Sequence, residues 1–138
     1  MTELIDELEV GRWIKTRAEA ATGLKAYLDL IPEAAPLPAI RFSFQMRHDV
    51  YTVEMHAPFT RYMATVLVVA DMEVTPVATL RGHAVSLDAS LHRAAGDVGQ
   101  ARILTCVRDG SFGLTETEGA HTYRHAGATW IIQAAPVS

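Results

Sequence analysis

The stretch His121-Thr122-Tyr123-Arg124-His125 comes nearest to a metal site, because two imidazoles four positions apart on a helix can grip one ion. Its neighbours argue for a strand instead. Thr122, Tyr123, Thr129, Trp130, Ile131 and Ile132 favour extended backbone. At about 3.3 Å per residue the two rings then start about 13 Å apart. One ion bound at roughly 2.1 Å from each nitrogen cannot bridge that gap, and no Cys or Glu stands at finger-like spacing. His48-Asp49 and the pair Asp88 and His92 are the other groupings that could do acid–base work. The first falls in a predicted loop, and the second is an i, i+4 pair suited to the C-terminal half of a helix. There is no Gly-x-Ser-x-Gly elbow, no phosphate-binding Gly-Lys-Thr or Gly-Lys-Ser loop and no Gly-x-Gly-x-x-Gly. The expectation is a chain that is not an enzyme, with no catalytic residues, no cofactor and no bound metal.

Composition points the same way. The chain has 138 residues, 49% hydrophobic and 20% charged, which is the balance of a folded domain. We expect one domain over residues 1–138. Its lone cysteine, Cys106, lies in the apolar run Ile103-Leu104-Thr105-Cys106-Val107 and reads as a small core residue. The net charge of −4 gives no clustered Lys and Arg for tight phosphate binding. The N-terminal Thr2-Glu3-Leu4-Ile5-Asp6-Glu7-Leu8-Glu9 is acidic where a signal peptide is basic, and no apolar run approaches the roughly 18 residues of a membrane span. An unprocessed chain made in the cytosol, with no membrane partner, is expected.

The elements that must position these residues follow from periodicity. Thr2 can cap a first helix with Leu4, Leu8, Ile14, Ala18 and Ala21 on one face and Gly23 as its stop. Leu24 to Ile31 is either an edge strand or one more turn. Pro32, Pro36 and Pro38 hold the next segment extended, and Ile40, Phe42, Phe44 and Met46 alternate with Arg41, Ser43, Gln45 and Arg47 as a strand with one buried face. Arg47 to Phe59 reads as a long solvated loop or hairpin tip. Tyr62 to Ala70 is apolar on both faces and should be central. Thr75-Pro76 opens a second helix carrying Leu80, Ala84, Leu87, Leu91 and Ala94, which Gly96 closes. Ala101 to Arg108 is a strand, Asp109-Gly110 a turn, Ser111 to Gly119 a polar loop and Thr122 to Ala134 the last strand. Asp109-Gly110 could instead be a tight hairpin turn between strands at 101–108 and 111–117. The fold class is α+β: a single domain in the order α-β-β-α-β-β, with an antiparallel or mixed sheet of about four strands and two helices packed on one face.

In this order and spacing the chain resembles the tail terminator family of long-tailed bacteriophages, also called minor tail or tail completion proteins. The resemblance covers most of the chain. It is carried by Pro32-Glu33-Ala34-Ala35-Pro36-Leu37-Pro38-Ala39-Ile40-Arg41-Phe42 entering the first strand, by Arg61 to Asp71, and by the helix ending Leu87-Asp88-Ala89-Ser90-Leu91-His92-Arg93-Ala94-Ala95-Gly96. Ala101 to Arg108 and Glu118 to Gly127 leading into Thr129-Trp130-Ile131-Ile132 complete it. It implies a virion structural protein: a homo-oligomeric ring, commonly a hexamer, that caps the tail tube protein at the head-proximal end and offers a surface to the connector or stopper of the neck. DNA would pass through such a ring without sequence-specific binding. Alternative readings are another phage neck protein, such as a head-completion or stopper protein, and a small NTF2-like ligand-binding protein or enzyme with an apolar pocket.

The doubly apolar strand suggests a neighbouring subunit covering the sheet face that two helices leave open. The two long predicted loops, Arg47 to Phe59 and Gly110 to Gly119, are the expected contacts between subunits or with neighbouring virion proteins. Arg47, His48, Asp49, Tyr51 and Glu54 in one, and Phe112, Glu116 and Glu118 in the other, are the candidate interface residues.

Overall fold

The structure is a computed structural model and describes residues 7–50 and 59–137. Helix α1 spans Glu7–Thr22 and ends where Gly23 turns left-handed, its N–H donated to the Glu19 carbonyl. Val10, Trp13, Ile14 and Ala18 form its buried face. Ile14 and Ala18 lie where the periodicity puts them, but Leu8 is 62% exposed and Val10 takes its place. Thr2 and Leu4 lie outside the described residues. Gly11 weakens the helix by propensity; it is buried against the sheet, where a Cβ would meet the Phe42 ring at 3.4 Å, ordinary van der Waals contact.

Six strands make one sheet: β1 Ala26–Leu28, β2 Ala39–Val50, β3 Phe59–Asp71, β4 Gly96–Val98, β5 Ala101–Glu118 and β6 His121–Pro136. The spatial order is β1-β2-β3-β6-β5-β4. Only β1 against β2 is parallel, so the sheet is mixed. The expected count of about four strands is corrected to six, because β1 and β4 have three residues each, too few to show a period of two. Residues 24–31 thus contain the edge strand. The proline run is not extended: Ala35 N–H closes a turn on the Pro32 carbonyl at 2.9 Å, and Leu37–Pro38 is cis.

Both predicted loops are corrected as well. Arg47 to Val50 continue β2, paired with Tyr62, Arg61, Thr60 and Phe59 of β3, and a register shift between Phe44 and Met46 disguised the alternation. Residues 51–58 lie outside the described ones. Neither a turn nor a loop interrupts 109–118, where β5 runs straight through Asp109-Gly110. The extra residue there is a β-bulge, and the chain reverses only at Gly119-Ala120, with Gly119 at φ 61°.

Helix α2 spans Val77–Leu91, beginning after Pro76 and burying Leu80, Leu87 and Leu91. It ends at Leu91, not at Gly96, because the chain turns at Arg93, a non-glycine at φ 64°, whose N–H is donated to the Cys106 carbonyl. Both helices cover one face of the sheet. Tyr62, Ala64, Val66, Val68 and Ala70 of β3 join Trp130 and Ile132 of β6 in the core beneath them. On the other face Leu67 and Val69 are also buried. A cleft of about 270 Å³ over Val69 is lined by Leu30, Ile31, Pro32 and Leu37, so the chain's own 30–37 segment shelters that end of the strand. The neighbouring subunit expected on this face is not needed to cover that end of the strand.

Candidate subunit interface

The described candidate residues fall on two opposite borders of the sheet. Arg47, His48 and Asp49 lie at the end of β2, while Phe112, Glu116 and Glu118 lie in β5. Tyr51 and Glu54 lie outside the described residues. At one border β1 covers only Ile40 to Phe42 of β2, and at the other β4 covers only Ala101 to Ile103 of β5. Among the described residues no strand pairs with the outer side of β2 over 43–50. On β5 the Cys106 carbonyl accepts from Arg93 and the Arg108 N–H donates to His92 Nδ1 at 3.3 Å, so the uncovered length begins at Gly110. Unpaired edges of this kind are templates for a further strand.

The two borders differ in charge. Arg47 sits over the Tyr62 ring at 5.8 Å and holds Asp49 at 3.4 Å, while Thr60 Oγ1 donates to the same carboxylate at 2.9 Å. His48 is the register partner of Arg61, whose Nε is buried without a hydrogen-bond partner among the described residues. This corner is basic. The far end of β5 and β6 is acidic: Glu116 and Glu118 pair with Tyr123 and His121, beside Asp71 and Glu73. The Tyr123 hydroxyl is pushed up, first by desolvation and then by the carboxylates of Asp71, Glu118, Glu73 and Glu116.

His121 and His125 do not converge on one point. His121 Nδ1 is 3.0 Å from Asp71 and 3.7 Å from Glu73, whereas His125 Nε2 is 2.7 Å from Glu116. The ligand atoms of Asp71, Glu73 and His121 lie within 4.8 Å of one another and could hold a cation, a grouping that sequence spacing cannot show across 50 residues. The imidazole already answers the Asp71 carboxylate, and Glu73 and His121 are about half exposed. His48 and Asp49 are neighbours on a strand and point to opposite faces, which rules them out as a dyad. Asp88 turns to Arg108 at 3.0 Å, and burial holds its pKa above the ordinary value despite that partner and nearby His92. Cys106 is buried, as its surroundings suggest.

The exposed side chains of the helix-free face form an apolar row across four strands. Met46, Met63, Ile131 and Val107 are successive register partners, with Met46 and Val107 each 45% exposed. Phe112 and Leu114 on the β5 border are 41% and 37% exposed. Sequence reasoning placed Arg47, His48, Asp49, Phe112, Glu116 and Glu118 in loops, whereas they lie in strands. The available signal was the alternation of Phe112, Leu114, Glu116 and Glu118 with Ser111, Gly113, Thr115 and Thr117.

A solved chain in the virion of a native gene transfer agent (GTA) particle superposes with a TM-score of 0.57 at 15% sequence identity, covering 89% of this chain and 90% of that one. The likeness is one of fold. No protein-family model and no curated protein sequence matches the chain.

Proposed function

We propose that this chain is a structural subunit of a phage-like virion, acting as the tail terminator: a ring of identical subunits that closes the tail tube at its head-proximal end and meets the connector or stopper of the neck. The observation that carries the reading is the pair of uncovered sheet borders, one basic and one acidic, on a fold similar to that of a chain in a gene transfer agent virion. Opposite borders make a head-to-tail contact, which closes into a ring where the rotation between copies closes and gives an open filament where it does not. No bond is made or broken in this role, and no catalytic group is assigned to it. Among the described residues no helix is long and apolar enough to cross a membrane.

The lumen of such a ring must let DNA slide without adhering. A chain of net charge −4 suits that, since tight phosphate binding rests on clustered cations. The test is to locate the chain in an assembled particle and weigh its ring. A ring at the head-proximal end of the tail, of mass about six times 15.1 kDa, is expected. A single copy, a twelve-fold ring, or a place in the head or the stopper layer would sink the terminator assignment.

A further inference from the structure

We propose that the uncovered edge of β2 (residues 43–50) in one copy pairs antiparallel with the uncovered edge of β5 (residues 110–118) in the next, so that one sheet runs on through the ring. This rests on the ring reading above and specifies its joint.

The sense of the strands allows it. From β2 through β3 and β6 to β5 there are three antiparallel steps, so β2 and β5 run in opposite directions. A neighbour rotated about an axis roughly along the strands therefore brings its β5 antiparallel to β2. That is the ladder most strand pairs adopt. The uncovered stretches are similar in length, and the β5 stretch, Ser111-Phe112-Gly113-Leu114-Thr115-Glu116-Thr117-Glu118, has no Pro, Lys or Arg to guard it.

Charge disfavours a two-fold β2 joint, which would place Arg47 and His48 of both copies side by side at its centre. In the β2-to-β5 joint these groups meet the uncharged middle of the β5 stretch, Phe112 to Leu114; His48 shares the helix-free face with Glu116, while Arg47, level with Tyr62, lies on the helix side. The joint also continues the apolar surface of the helix-free face, where Met46 and Val50 of one copy meet Phe112 and Leu114 of the next.

The register adds a requirement. Within one subunit Ser43 is level with Thr65, Thr129 and Gly110, and Asp49 with Thr60, Ala134 and Ile103. The stretch 43–50 therefore stands beside 103–110, not beside 110–118. Joining the two uncovered stretches staggers each copy along the strand direction, which is the tilt that a sheet must take to close on itself.

Full-length chains carrying Met46→Cys are mixed with chains carrying Phe112→Cys, Leu114→Cys or Glu116→Cys in turn, assembled into rings or particles, and oxidised. We expect at least one mixture to give a disulfide between unlike chains, while each variant alone gives none. Leu114→Lys, at the middle of the β5 stretch, should weaken assembly about tenfold or more, and adding Met46→Glu on the same face of the neighbouring copy should restore it, with unchanged thermal melts of the subunits. Rings that form without any cross-link would overturn the edge joint and leave the ring reading standing. A Leu114→Cys cross-link between like chains in a two-fold dimer, or a chain that stays single in the particle, would overturn both.

Discussion

The Arg17 guanidinium of α1 donates two hydrogen bonds, at 3.1 and 2.9 Å, to the main-chain carbonyl of Ser90 in α2. Ser90 Oγ donates back to the Arg17 carbonyl at 3.4 Å. The last-turn carbonyls of a helix lack intrahelical donors, so Arg17 supplies what α2 cannot supply itself. The same guanidinium lies 5.4 Å from the Trp13 ring, which fixes its approach. Arg17→Ala is expected to cost about 2 kcal/mol, the usual range for a lost hydrogen bond to a charged group. Arg17→Lys should recover only part, because an ammonium cannot fork around one carbonyl. Urea unfolding of the three proteins measures both differences, and an Ala variant as stable as the parent would refute the assignment.

Asp88 and Arg108 form an ion pair 3.0 Å apart between α2 and β5, yet the Asp88 carboxyl is held above its ordinary 3.8 because burial outweighs the nearby cation. The folded state therefore binds this proton more tightly than the unfolded chain does. Asp88 stabilises the fold below the ordinary value, and that contribution disappears as pH rises through the folded one. Asp88→Asn should match or exceed the parent near pH 7, with the gap narrowing as pH falls. Denaturant midpoints across that range decide it, and an Asn variant much weaker at pH 7 would show that the pair is net stabilising.

Burial pushes the Cys106 thiol up to about 12. The thiolate is the reactive form, so native protein at pH 8 should resist a thiol reagent such as DTNB. Full labelling should appear only in denaturant. Rapid labelling of native protein would mean that the β5 segment opens easily.

Gly127 marks the closest approach of β6 to β3. A Cβ there would overlap the Val66 carbonyl oxygen, a backbone atom that cannot swing aside. Gly127→Ala should destabilise the protein by about 2 kcal/mol or more, the upper part of the range for overpacking. Gly110→Ala, with nothing within 4 Å of its Cβ, should be nearly neutral by comparison. Equal thermal melts for the two variants would contradict the packing of these strands.

Local periods in the chain are enough to set the class of the fold and much of its interior. The alternation of Ile40, Phe42 and Phe44, the double apolar face of Tyr62 to Ala70 and the stripe of Leu80, Leu87 and Leu91 each express one local period, and each occurs where that period places it. Local periods fail where tertiary pairing takes over. Asp109-Gly110 has turn chemistry, yet sixteen β5 residues pair with β6 on both sides of it, and that ladder outweighs one local preference. Arg47 to Val50 look like loop because they are polar, but pairing with β3 holds them extended. The three-residue strands β1 and β4 exist only through their partners. The interface candidates were therefore named from composition, while only the sheet order could put them on opposite borders. Strand order is a relation between segments tens of residues apart, and no spacing within a segment encodes it.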